Sequence, residues 1–132
     1  LLRIRTGLLV RATEYLRSHQ LRALLQAEFG RAFERVDALL APTMAIIAPE
    51  IGRTFEPCGP LGVVPRAIGS RLTAPCNLTG MPAISIPCGF SDGLPVGLQI
   101  MGPAFSEALI LRIARGYEAA TPWAAMRPPV DP

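Results

Sequence analysis

A chain of 132 residues suffices for one domain and is too short for two. Half of it is apolar, which allows a packed core and excludes a disordered tail. The net charge of +3 would suit a polyanion, but all thirteen basic residues are arginines, scattered without a run of three and without stacking aromatics, so no direct nucleic-acid partner is expected.

Residues 12–35 read as an amphipathic helix, the first element of the chain. Leu21, Leu25, Phe29 and Phe33 recur every four residues, and Leu24 and Val36 widen the stripe. Arg22, Gln26, Arg31 and Arg35 lie off it. Val36 to Ala41 follows as a short apolar strand ending at Pro42, of the kind normally covered on both faces. Thr43 to about Pro65 shows proline, glycine and no period. A connection that long is usually functional or packed by other parts of the protein. A short helix is drawn around Ala67–Asn77, with Pro75 blurring its end.

Ala83 to Cys88 and Val96 to Met101 are two strands joined by the stretch Gly89 to Leu94. Within it Asp92-Gly93 supplies the positive φ of a tight reversal, which predicts an antiparallel hairpin. Val96, Leu98 and Ile100 point one way; Gly97, Gln99 and Met101 point the other. A last helix, about 106–120, opens with Ser106 as N-cap and buries Leu109, Ile110, Ile113 and Tyr117. The Pro-rich tail beyond Thr121 has Trp123 as its one anchor. Two helices and about three strands, two of them apolar on nearly every residue, require more sheet beside them and helices on both faces. The chain does not supply those partners. It reads as roughly the last third of a larger α/β protein, and the frame is expected to continue upstream of Leu1 for about 200–300 residues.

Residues that carry chemistry are few. Cys58, Cys76 and Cys88 are odd in number and form no C-x-x-C pair, and His19 is the only histidine, so no metal site has enough ligands. Reduced thiols fit a cytoplasmic protein. The longest mostly apolar stretch, 38–49, contains Pro42 and Thr43 and is too short to span a bilayer, so no membrane association is expected. Leu1-Leu2 is followed at once by Arg3 and Arg5, which is not a signal-peptide pattern.

The stretch from Thr73-Ala-Pro-Cys-Asn-Leu-Thr-Gly through Gly93-Leu-Pro-Val-Gly-Leu-Gln-Ile-Met-Gly102 closely resembles the C-terminal segment of amidase-signature enzymes. Supporting blocks flank it in the family's order: Phe33 to Thr43 upstream, then Phe105-Ser-Glu107 and Tyr117-Glu-Ala-Ala-Thr-Pro-Trp123 downstream. The resemblance implies an α/β fold, a twisted mixed sheet flanked by helices on both faces, of which residues 1–132 are the C-terminal portion of a single domain. It implies hydrolysis of a small-molecule carboxamide to carboxylate and ammonia or amine through a Ser–cis-Ser–Lys triad, without cofactor or metal. The triad belongs to the family's N-terminal half. This chain has no lysine, and its five serines (18, 70, 85, 91 and 106) are isolated, so none of its residues is assigned a catalytic role and the chain alone is expected to be inactive.

Two residues are assigned to substrate binding. Cys76 stands where similar stand-alone amidases often carry Phe, and would enlarge the acyl pocket unless it merely fills a gap in the core. Asn77 could donate or accept beside substrate, or satisfy loop backbone. Gln99 could reach the site from its strand or hold a structural hydrogen bond. Ser85, mid-strand and outside any G-x-S-x-G elbow, is read as a hydroxyl bonded within the sheet, and His19 as a solvated surface residue. Near the end similar amidases often read Thr-x-Trp-His, where this chain has Thr121-Pro-Trp123-Ala124.

Three functions remain open at this point. The first is a stand-alone amidase, for which a homodimer is left open. The second is the amidase subunit of the tRNA-dependent amidotransferase, which works with partner subunits. That protein typically reads Asn-Leu-Ala where this chain has Asn77-Leu-Thr79, and it carries an acidic-Pro-Met-Tyr segment that residues 56–72 lack. The third is an inactive remnant or binding module.

Overall fold

In the computed structural model the described residues are 5, 7–52, 55–57, 60 and 62–127. Cys58, Arg3 and the last residues of the tail lie outside them. After a turn of 3-10 helix at Gly7–Leu9, helix α1 spans Ala12–Phe33. The Arg11 N–H donates to Glu14 Oε2 at 2.9 Å, which satisfies one of the donors left free where a helix begins. The predicted stripe of α1 is only half realised. Leu25, Phe29 and Phe33 are half-buried, whereas Leu21, Leu24 and Val36 stay exposed.

Strand β1, Leu39–Pro42, starts later than the expected Val36, because residues 34–38 turn the chain out of α1. The connection that follows is not without structure. Phe55–Pro57 (β2) and Val63–Pro65 (β3) pair antiparallel as a two-stranded ribbon, too short for a periodic signal to show in sequence. The helix expected around 67–77 is two pieces. A 3-10 helix covers Arg66–Arg71, and α2 covers Ala74–Thr79. Pro75 sits in the first turn of α2, where its missing N–H costs nothing, so it opens that helix instead of closing the earlier one. Gly80 ends α2 in the left-handed region at φ 77°, with its N–H bonded to the Cys76 carbonyl at 2.8 Å.

Strands β4 (Ala83–Ser91) and β5 (Leu94–Met101) form the expected hairpin. Its loop is tighter than the six residues read from sequence. Only Asp92 (φ 52°) and Gly93 (φ 77°) turn the chain, and Ser91 pairs with Leu94. A register shift between Pro87 and Gly89 leaves Cys88 as an extra residue on β4. The sheet order is β1-β5-β4, antiparallel throughout.

The pleat separates two faces. Ile84 pairs with Ile100 and Ile86 with Leu98, and helix α3 (Glu107–Ala120) packs on this face through Ile110, Ala114, Ile113 and Tyr117. This is the core of the described residues, and Ile100 is wholly buried in it. Gly102 lets α3 start close against β5, since a β-carbon there would lie 2.7 Å from Ile110 Cγ2. Ser106 precedes α3 as expected but does not cap it with its side chain. Its hydroxyl donates backward to the Pro103 carbonyl at 2.6 Å, and its own carbonyl accepts from Leu109 and Ile110. Trp123 does anchor the tail, edge-on to Phe90 on β4 with ring centroids 6.2 Å apart. Among the described residues no helix is long and apolar enough to cross a membrane.

Candidate functional site

The second face of the sheet carries the polar residues. Thr43, Ser85, Gly97 and Gln99 lie on it, because Ser85 and Ala41 pair with Gln99 and the Thr43 N–H bonds the Gly97 carbonyl at 2.8 Å. Ser85 Oγ and Thr43 Oγ1 share a hydrogen bond of 2.6 Å. Gly97 makes room for it: a β-carbon there would lie 2.7 Å from one hydroxyl and 2.8 Å from the other. The serine hydroxyl is thus engaged across the sheet, as the sequence suggests. Gln99 is 3% exposed, and its Nε2 donates to the Leu72 carbonyl at 3.0 Å. That bond leaves the sheet and holds the segment entering α2 against β5.

A second tether comes from α1. Gln26 Nε2 donates to the Thr79 carbonyl at 2.8 Å, while Thr79 Oγ1 donates to the Pro75 carbonyl at 2.7 Å inside the helix. Short α2 could not persist alone. One glutamine amide ties its last residue to α1, and another ties the segment entering it to β5.

Cys76 and Asn77 both sit on α2 but do not act together. Consecutive helical residues point about 100° apart. Cys76 is 6% exposed and faces inward, where burial raises its thiol pKa and keeps it protonated. Asn77 is exposed and opens onto a groove of about 240 Å³ lined also by Tyr15, Ser18, His19, Arg22 and Leu78. A larger groove of about 420 Å³ lies along the same face of α1 toward its C-terminal end, between Gln26, Gly30 and Phe33 and the residues Thr79, Met81 and Pro103. A third, about 500 Å³, lies between Met44–Pro49 and the β5 residues Pro95, Val96 and Gly97. Cys76 lines none of the three. Among the described residues no group of three or more His, Cys, Asp or Glu is placed to hold a metal ion.

Two residues that matter here were not legible as site residues. Gln26 and Arg22 both read as off-stripe surface positions on α1, and only the docking of α2 gives them neighbours. His19 stands beside Tyr15, ring centroids 4.5 Å apart, on the wall of the smallest groove.

The model of the amidase family matches residues 3–111. The chain belongs to the amidase family. Similar proteins include both an amidotransferase subunit and amidases. A Glutamyl-tRNA(Gln) amidotransferase subunit from Synechococcus sp. is 41% identical over 116 residues, covering 88% of this chain and 22% of that protein. A crystal structure of an amidase superposes with a TM-score of 0.83 at 30% identity, over 87% of this chain and 26% of that one. The corresponding Glutamyl-tRNA(Gln) amidotransferase subunit from Thermotoga maritima superposes with a TM-score of 0.69 at 33% identity, over 96% of this chain and 28% of that one. The chain therefore spans about a quarter of the length of the amidase-family proteins it matches.

Proposed function

We propose that this chain is the C-terminal portion of an amide hydrolase and forms part of the acyl pocket, while the catalytic groups lie in residues outside it. The observation that carries the reading is the pair of tethers around α2. A six-residue helix bearing Cys76 and Asn77 is tied to α1 through Gln26, and the segment entering it is tied to β5 through Gln99, within a chain of the amidase family that has no lysine. Rigid placement of a pocket wall is what a site needs when binding energy is to orient a substrate. Cys76, buried beneath α2 and lining none of the three grooves, would act on the pocket through packing, since a Phe in place of a small buried thiol would displace the helix, and Asn77 is the polar group that α2 presents to a groove.

In this mechanism a neutral lysine takes a proton through a bridging serine, and a second serine attacks the amide carbon of a small carboxamide. Backbone N–H groups hold the oxyanion, ammonia or an amine departs, and water frees the acyl group as carboxylate. No cofactor takes part, and the protein works in the cytoplasm. Ammonia release from simple aliphatic and aromatic amides is the direct test. The 132-residue chain should release none, and the longer protein containing it should turn over. Turnover that follows the isolated chain through purification overturns the reading. An inert longer protein leaves the remnant or binding-module alternative.

A second reading is favoured by the 41% identity to a Glutamyl-tRNA(Gln) amidotransferase component. On that reading the longer protein hydrolyses glutamine and passes ammonia to a partner protein. Glutamine turnover that rises on adding the partner proteins and charged tRNA supports it, and indifference to both rejects it.

A further inference from the structure

Arg22 on α1 makes no hydrogen bond or ion pair with any described residue, and its Nε is closed off from solvent without an acceptor. Its Nη2 extends toward the end of α2, 3.9 Å from where a β-carbon on Gly80 would stand. A guanidinium carries five donors and a permanent charge. Here it has lost part of its hydration and received no acceptor in exchange.

The surroundings narrow what could answer it. Arg22 lines the 240 Å³ groove with Tyr15, Ser18, His19, Asn77 and Leu78, and among the described residues no carboxylate lines that groove. The acids of α1 are engaged elsewhere, Glu14 with the Arg11 N–H and Glu28 with Arg31. The Ser18 hydroxyl is turned to the Glu14 carbonyl at 2.8 Å, so its proton is used. What these residues leave is a fixed cation with a neutral amide, Asn77, across the groove from it.

We infer that this groove is a carboxylate-binding subsite, with the Arg22 guanidinium as the anchor and the Asn77 amide as a second donor. One guanidinium balances a monoanion, and its planar fork matches the two oxygens of a carboxylate; a phosphate dianion would be left with uncompensated charge. A free small carboxylate and the side chain of an Asp or Glu on a covering segment offer the same chemistry. The inference shares Asn77 with the acyl pocket proposed above, but its readout is binding, so a failure of amide hydrolysis does not bear on it.

The test follows the arginine Nε–H signals of the isotope-labelled longer protein that contains this chain by NMR while sodium acetate replaces sodium chloride at constant ionic strength, with the Arg22 signal assigned by its loss in Arg22→Gln. The Arg22 signal should shift saturably in the millimolar range. Both Arg22→Lys, which keeps the charge but loses the fork, and Arg22→Gln should weaken binding about tenfold or more, and Asn77→Ala a few-fold. Unchanged signals from β4, β5 and helix 107–120 in each variant establish that the fold is intact. A blocked tripeptide, Leu-Glu-Leu, distinguishes the sources. Binding about tenfold tighter than acetate assigns the groove to an acidic side chain, and equal binding assigns it to a free carboxylate. A shift that stays linear in acetate overturns the inference, as does saturation that survives in both Arg22 variants.

Discussion

The hairpin β4–β5 with α3, and the long helix α1, carry apolar stripes that are realised in opposite ways. In the first, Ile86, Ile100, Ile110 and Ala114 close into one buried cluster. Along the 22 residues of α1 not one is buried, and Leu24 is 63% exposed. Both helices have a start signal and a helical period, so the difference does not lie in local preference. It lies in what each stripe meets. The stripe of α3 meets a sheet face whose cross-strand pairs Ile84–Ile100 and Ile86–Leu98 are already aligned. The stripe of α1 meets a six-residue helix, and a partner that short cannot cover it.

The contrast can be broken most sharply at its centre. Ile100→Ala should cost about 2–5 kcal/mol in urea unfolding, because the cavity forms between sheet and helix where nothing can collapse into it. Gly102→Val should follow at about 1–3 kcal/mol, since the new β-carbon would press on Ile110 and displace the start of α3. Gln26→Met tests the other region. Losing its bond to Thr79 should cost about 0.5–1.5 kcal/mol and should raise hydrogen exchange in α1 and α2 while β4 and β5 stay protected. Leu24→Gln should leave unfolding unchanged within about 0.5 kcal/mol, as expected of an exposed position, and lessen self-association. A loss from Leu24→Gln as large as that from Ile100→Ala would mean that the α1 stripe is part of the same core.

The hairpin was legible because Asp92-Gly93 can do little else between two apolar runs, and both residues take the positive φ the turn demands. Trp123 was legible as an anchor because it is the largest apolar side chain of the tail. The ribbon at Phe55–Pro57 and Val63–Pro65 was not, since three residues hold no measurable period. Pro75 misled for a different reason. Proline breaks a helix from within and opens one from its first turn, and spacing alone does not say which it will do.

By itself the sequence determined the order of the main elements, the hairpin register through its turn, the resemblance to amidase-signature enzymes through four ordered blocks, and the absence of a lysine. Tertiary structure alone decided which faces are covered. It put Cys76 inward and Asn77 outward on one short helix, tied that helix down through Gln26 and the segment entering it through Gln99, and withdrew the Nε of Arg22 from water. The physical reason is that periodicity is a local property that tells which side chains share a face. Burial, desolvation and hydrogen bonds between distant residues depend on what the rest of the chain brings against that face.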